Sequence, residues 1–407
     1  MSERAISPAA YRNPLQLRLQ ACVIAAASLI GCASTAQSDK PKSNATGVAA
    51  AINDLCDAQV VFLGEEGHHG GGQSITTKAD IIAGLIRQCG FTHVALEAQI
   101  YDVLDLEKRY AAGTATPEAL YDALGSLGFM AAQANPLLAL LHEKASAGQV
   151  RLSGFDPNIG SITAYYAQHQ LAQDLSRDLP AMRRDFCTNT IETLTQWKFD
   201  DAHPDDEAFT KTIHDCAIQI EALALQQAEQ DPLHYRMTHN FRAQLEQSEG
   251  DGANWRDRAM YENLQWALDR QPAGTRTVVW TATVHALKQP LGKRKSMASY
   301  FKADSGIKMK SVAIVGAAGA YGFNNRVTSF LPADADSLEG SALASGGMPP
   351  VYLDAAALSK LGSRKSRMLS YDKYSEQDWS QWVDGVLVLS AEVAPTRARP
   401  NKPLQKP

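Results

Sequence analysis

Six acidic and imidazole side chains stand where short apolar runs stop. Val60–Leu63 leads to Glu65, with His68 and His69 close behind; Val94–Leu96 leads to Glu97; Val150–Ser153 leads to Asp156; and Val278–Ala282 leads to His285. Short apolar runs bounded by turn residues read as buried strands. In a parallel α/β sheet the carboxyl ends of the strands share one edge, and ligands bind in the crevice there. The six side chains would therefore meet at one site. Carboxylates and imidazoles brought together suit either proton transfer or metal binding.

The elements that must position them follow an alternating pattern. After Val60–Leu63, the residues Ile81, Ile82, Leu85 and Ile86 keep helical spacing, and Gly90 fits a helix C′ position. A strand at Val94–Leu96, helices over Tyr101–Ala112 and Pro136–Ala147, and a strand at Val150–Ser153 complete a βαβαβ opening. That order predicts an α/β fold, a mainly parallel sheet flanked by helices. From Ile162 to about Arg270 the strand pattern disappears. This stretch is rich in Ala, Gln, Leu and Glu, broken near Pro204 and Pro232, and reads as a helical insertion or subdomain. Strands return at Thr277–Thr281, Ser311–Val315 and Gly385–Leu389, with a Gly/Ser/Pro-rich loop over Pro332–Pro350 between the last two.

A chain of 407 residues holds one large domain or two smaller ones. Its formal net charge of -5 leaves no basic footprint for nucleic acid. Arg12 and Arg18 precede an apolar stretch, Leu19–Ile30, too short to span a bilayer. It ends in Leu29-Ile30-Gly31-Cys32, which resembles a bacterial lipobox, so 1–32 reads as a lipoprotein signal peptide with Cys32 lipidated. The competing reading is a plain secretory signal cut near Ala36. Either implies export. Ala33 after Cys32, where Asp is absent, points to the outer membrane, facing the periplasm. Residues 33–50 read as a flexible tether, 51–394 as the folded domain, and 395–407 as a disordered basic, Pro-rich tail.

Export makes disulfides possible for the remaining cysteines, Cys56, Cys89, Cys187 and Cys216. Cys187 and Cys216 flank the break at Pro204, so antiparallel helices would bring them together; Cys56 precedes the first strand and Cys89 ends the helix that returns beside it. The pairs expected are Cys187–Cys216 and Cys56–Cys89, against a competing reading of four buried thiols.

No G-x-S-x-G elbow and no H-E-x-x-H helix occurs. What remains is a histidine base, oriented by glutamate, that activates water against a carbonyl. Gly64-Glu65 after a strand, then His-Gly, a helix ending in Gly90-Phe91, and a strand ending in Glu97-Ala98 resemble the erythromycin esterase-like family. Gly154-Phe155-Asp156, the helix Arg256-Asp257-Arg258-Ala259-Met260-Tyr261-Glu262-Asn263-Leu264 and the strand from Val279-Trp280 to His285 resemble its later blocks. The resemblance implies His69 as base, Glu97 as its carboxylate partner and Glu65 as a second acid or water-positioner. His285 would polarise the carbonyl or protonate the leaving alcohol. No cofactor is needed in that reading, and the partner is a small-molecule ester or lactone of unspecified identity.

Two registers are open for the base. Counting from Glu65 selects His68; counting back from Lys78 and Gly90, with Gly required after His, selects His69, which is preferred. The acidic residue that many members carry after His-Gly is absent, with Gln73 nearest, and this bears on substrate range. The run Gly70-Gly71-Gly72 either forms an anion site at a helix start or is a flexible turn. Lys78 lies in the helix that follows. Arg256 and Asn263 share a helix stripe with Met260, Leu264 and Ala267, and either bind substrate or brace the carboxylates. Asp156 either orients a neighbour or caps a helix. Two other classes compete. One is a metal-dependent hydrolase resembling the TraB and Tiki proteins, with Glu65, His68 or His69, Glu97 and His285 as ligands of a divalent metal. The other is a ChaN-like haem-binding lipoprotein.

Overall fold

A computed structural model of the chain describes residues 47–67, 69–124, 131–159, 165–201, 204–246, 252–304, 306–322 and 326–398. The signal segment with Cys32, most of the tether, the end of the tail, and His68 lie outside the described residues.

The strands are β1 (Val60–Glu65), β2 (His93–Gln99), β3 (Arg151–Asp156), β4 (Thr277–Ala282), β5 (Met309–Gly316), β6 (Gly319–Tyr321), β7 (Thr328–Phe330), β8 (Val351–Asp354), β9 (Arg364–Ser366), β10 (Ser375–Gln377) and β11 (Gly385–Leu389). A 7-stranded sheet runs in the order β3-β2-β4-β1-β5-β11-β8. All its pairings are parallel except that of β11 with β8 at one edge. The central strands read as continuous apolar runs because both faces are covered.

Helix α1 (Gly47–Leu55) precedes β1, and α2 (Gly72–Cys89), α3 (Ile100–Ala111), α4 (Pro117–Ala123) and α5 (Asn135–Ser146) follow the first strands. On that face Leu63, Leu96 and Trp280 pack against Ile52, Ile82 and Leu141. On the other, Phe62 and Val279 meet Met260 and Leu264 of α11 (Gly252–Asp269) and Phe301 of α13 (Met297–Asp304). The side chains alternate between faces with the period of two that a strand imposes.

The predicted helical insertion is present as α6 (Tyr166–His169), α7 (Leu171–Ser176), α8 (Ala181–Thr195), α9 (Glu207–Gln226) and α10 (Pro232–Glu246), with α11 completing it. Its own core joins Cys187, Ile191, Ile220 and Phe241 to Ile100, Tyr101 and Leu104 of α3. Disulfides link Cys187 to Cys216 and Cys56 to Cys89, with Cα atoms 5.6 and 5.1 Å apart. Among the described residues no helix is long and apolar enough to cross a membrane.

Three boundaries differ from the sequence reading. α1 begins inside the expected tether, where Gly47 packs so closely on the Pro350 carbonyl that no side chain would fit. The loop expected over Pro332–Pro350 contains α14 (Leu338–Ala344), capped by Ser337 on the Gly340 amide at 3.0 Å and held by buried Leu338 and Ala342. The start of the expected tail is docked, with the Thr396 carbonyl accepting from the Ala132 amide at 2.6 Å. Two more short helices, α12 (Thr283–Ala286) and α15 (Ala355–Leu361), complete the set.

Candidate active site

The carboxyl ends of β1, β2, β3 and β4 deliver Glu65, Glu97, Asp156 and, one turn into α12, His285 to one edge. α12 lies tight against the end of β1: a side chain at Gly64 would come within 2.5 Å of the Thr283 backbone. Glycine is thus required there for α12, which carries His285, to pack on the end of β1.

His69 has a left-handed backbone, φ 52. That conformation costs a non-glycine residue about 1–2 kcal/mol. Its amide is tied back to the Glu66 carbonyl at 3.0 Å, and the turn aims the ring at β1. His69 Nδ1 lies 2.6 Å from Glu65 Oε1, while Nε2 faces Glu97 Oε1 at 3.6 Å. The shorter contact of this imidazole is with Glu65, while Glu97, the expected carboxylate partner, faces its other ring nitrogen. The reason is local: the left-handed turn folds the ring back onto the strand it has just left. With a carboxylate at Nδ1, the network assigns the ring proton to Nδ1 and leaves Nε2 as the acceptor.

Glu65 is almost fully buried and is held from two further directions. Trp280 Nε1–H donates to its Oε1 at 3.2 Å, and the Lys78 ammonium contacts its Oε2. Lys78 is itself fully buried, donates to the Thr281 carbonyl at 2.9 Å and lies 4.7 Å over the Trp280 ring. Burial pushes the Lys78 ammonium well below its usual range, and the Glu97 carboxylate opposes that shift.

Glu97 sits at the centre. Its Oε2 accepts from Thr281 Oγ1 at 2.7 Å and the Ala282 amide at 2.9 Å. Its Oε1 accepts from Arg256 Nη2 at 3.0 Å and faces His285 Nε2 at 3.5 Å. Burial alone would raise the carboxyl, but His285, His69 and Arg256 hold it well below the usual carboxylate range. Arg256 also grips Asp156 through Nη2 at 2.8 Å and Nε at 3.2 Å, and its Nη1 reaches His285 Nε2 at 3.3 Å. Burial would lower this guanidinium; Asp156 and Glu97 carry it above its ordinary value. Asp156 takes the orienting role; its bond from the Asn158 amide at 3.1 Å lies in the turn after β3 and not at a helix start.

His285 is anchored by a residue that the sequence reading quoted but gave no role. Asp257 Oδ1 lies 2.6 Å from His285 Nδ1 and accepts from the Met297 amide at 2.9 Å, starting α13, while Arg294 holds Oδ2 at 3.1 Å. Its signal was its spacing, three residues before Met260 and seven before Leu264, which puts it on the buried face of the helix. Asn263 does not reach the carboxylates. It donates to the Phe155 carbonyl at 3.1 Å and to Asn240 at 2.8 Å, and accepts from Arg236, bracing the end of β3.

The Gly70-Gly71-Gly72 run does open a helix, but the amino end of α2 is filled from within. Glu392, beyond β11, accepts from the Gln73 amide at 3.0 Å and the Ser74 amide at 3.2 Å. A side chain on Gly71 would come within 2.6 Å of that carboxylate. Burial raises the Glu392 carboxyl above its ordinary value, though its hydrogen bonds pull the other way. Among the described residues no group of three or more His, Cys, Asp or Glu side chains is arranged to hold a metal ion.

Residues 86–391 match the family model described as Erythromycin esterase. That span contains Glu97, Asp156, Arg256, Asp257 and His285; Glu65, His69 and Lys78 precede it. No curated protein sequence matches the chain. Among solved structures, the fold is similar to a succinoglycan biosynthesis protein, with TM-score 0.65 and 15% identity over 85% of this chain and 91% of that one. A Bacillus cereus protein matches with TM-score 0.63 and 16% identity over 88% and 96%. A histidine-to-asparagine mutant of the erythromycin esterase EreC, in its open conformation, matches with TM-score 0.64 and 14% identity over 86% and 95%. At these identities the likeness is one of fold.

Proposed function

The chain belongs to the erythromycin esterase family, and from that premise we propose that it is an exported hydrolase of a carboxylic ester or lactone working without a metal. Family membership supports a hydrolase. The observation that carries the finer reading is the Glu65–His69 pair, with Nδ1 occupied at 2.6 Å and Nε2 turned into the space shared with His285 and Arg256.

In this reading a water on His69 Nε2 loses its proton to the ring as its oxygen attacks the carbonyl carbon. Glu65 holds the ring and stabilises the imidazolium that forms. Arg256 stands where negative charge develops on the carbonyl oxygen. The bond from carbonyl carbon to alkoxy oxygen breaks, and the leaving oxygen takes the proton that His69 Nε2 received from water; His285, with Nδ1 held by Asp257 and Nε2 beside Arg256, borders the same space. His69 ends the step as it began, with its proton on Nδ1 toward Glu65. Glu97 stays ionised between the two rings and keeps both Nε2 atoms directed inward. The carboxylate oxygens that a metal would need are engaged by Lys78, Trp280, Thr281 and Arg256, which favours proton transfer over the metal reading.

The two disulfides fit an oxidising compartment. With the lipobox-like segment ending at Cys32, they support a lipid-anchored protein at the outer membrane. Acyl mass on the N-terminal peptide of the mature protein would bear this out, and an unmodified terminus would refute the anchor. The function is tested on a panel of p-nitrophenyl esters and macrolactones, erythromycin included, with products identified by mass spectrometry. Conversion of at least one member to the free acid, unchanged by chelator, is the expected result. No hydrolysis anywhere on the panel would count against the esterase reading, and activity abolished by chelator would count against the metal-free one.

A further inference from the structure

We propose that Glu392 is a positioning residue for the histidine base, a latch that holds the His69 turn in its working geometry; this rests on the reading of His69 as base. The left-handed turn at His69 needs restraint on both sides. On one side β1 supplies it. On the other, the chain passes through three glycines into α2, and glycines impose no conformation of their own.

The restraint there comes from the segment after β11. The Glu392 carboxylate takes the Gln73 and Ser74 amides, which at a helix start have no intrahelical partner. It also contacts the Ser74 hydroxyl and accepts from the Tyr371 hydroxyl at 3.1 Å. Next to it, the Val393 carbonyl accepts from the Gly72 amide at 2.7 Å. The Gly70 carbonyl accepts from the Gly322 amide at 2.9 Å. The run from Gly70 to Ser74 is thus fastened to neighbouring chain, with a carboxylate that is 2% exposed at its centre. α2 also carries Lys78, which contacts the Glu65 partner of His69. One latch therefore sets the ring and the carboxylate that orients it.

An ordinary helix cap would make a different prediction. A cap stabilises the fold and leaves turnover per folded molecule alone. A positioning residue changes turnover and local order together. The test uses the full-length chain, Glu392→Gln and Glu392→Ala, with p-nitrophenyl acetate hydrolysis and hydrogen exchange read by mass spectrometry. Glu392→Ala should lower kcat by on the order of 10- to 100-fold, since small misplacements of reacting groups have effects of that size. KM should hold, exchange should quicken over Gly70–Ser74, and Glu392→Gln, which keeps the length and one acceptor, should fall between. A lower melting temperature with kcat and Gly70–Ser74 exchange unchanged would overturn the proposal. If Glu392→Ala does not fold, Glu392→Gln alone decides it on the same two readouts. His69→Ala on the same ester separates the two claims. If that variant is as active as wild type, the base assignment fails and the latch falls with it; a His69→Ala protein that loses turnover beside a Glu392→Gln protein that keeps it overturns the latch alone.

Discussion

Each of the two imidazoles is anchored by a carboxylate at 2.6 Å on Nδ1, Glu65 for His69 and Asp257 for His285, and each turns Nε2 toward Glu97 Oε1. Glu65→Gln is therefore the sharpest probe of the base. An amide can donate to Nδ1, which shifts the ring proton to Nε2 and removes the acceptor that water needs. Turnover should fall by on the order of 10²–10⁴-fold with KM little changed; a drop smaller for Glu65→Gln than for Glu97→Gln would restore Glu97 as the orienting partner. Glu97 has a separate signature. Its folded carboxyl lies below the ordinary value of 4.5. Its stabilising effect is present above that value and is lost as pH falls through the folded pKa. Thermal melts from about pH 7 to about pH 3 should show a flatter acid limb for Glu97→Gln than for wild type; parallel curves would contradict the ionised, cation-held Glu97. Glu65, Glu97, Asp156 and His285 were legible in the sequence because a strand end marks each. The shorter contact of His69 with Glu65 was not, because it depends on a left-handed backbone at His69 that no residue type demands.

At the level of elements, the helical hairpin α8–α9 is held outside the sheet and stapled by Cys187–Cys216, with a sequence separation of 29. Closing a loop of that size restricts the unfolded chain, so replacing both cysteines by serine should lower stability by about 2–4 kcal/mol in urea titration. An unchanged midpoint would mean that the hairpin core of Ile191, Ile220 and Phe241 suffices alone. The helices of this region and both cysteine pairings were readable, since helical periodicity and the break at Pro204 are local signals. α14 was not, because its composition of small residues resembles a loop and its stability comes from the Ser337 cap and from burial against distant strands. Glu392 was invisible for the same reason: nothing near it in the sequence announces the α2 terminus that it closes.

For the molecule as a whole, strand order decides where the chemistry lies. β3, β2, β4 and β1 are consecutive in the sheet, and they are the strands that end in site residues. β4 enters between β1 and β2 only after the helical insertion has been completed, so the strand ends that carry Glu65 and lead to His285 become neighbours through topology alone. The parallel character of the sheet was legible from the alternation of strands and helices; the place of β4 was not, because register is set by long-range packing. The proposed mechanism turns on His69 Nε2 as the acceptor of a water proton. The most direct test is the hydrolysis of the ester and lactone panel by wild type and by His69→Ala, with thermal melting of both. Loss of turnover by on the order of 10²–10⁴-fold with the melting temperature preserved is the predicted result, and a His69→Ala protein that turns over every substrate at the wild-type rate would contradict it.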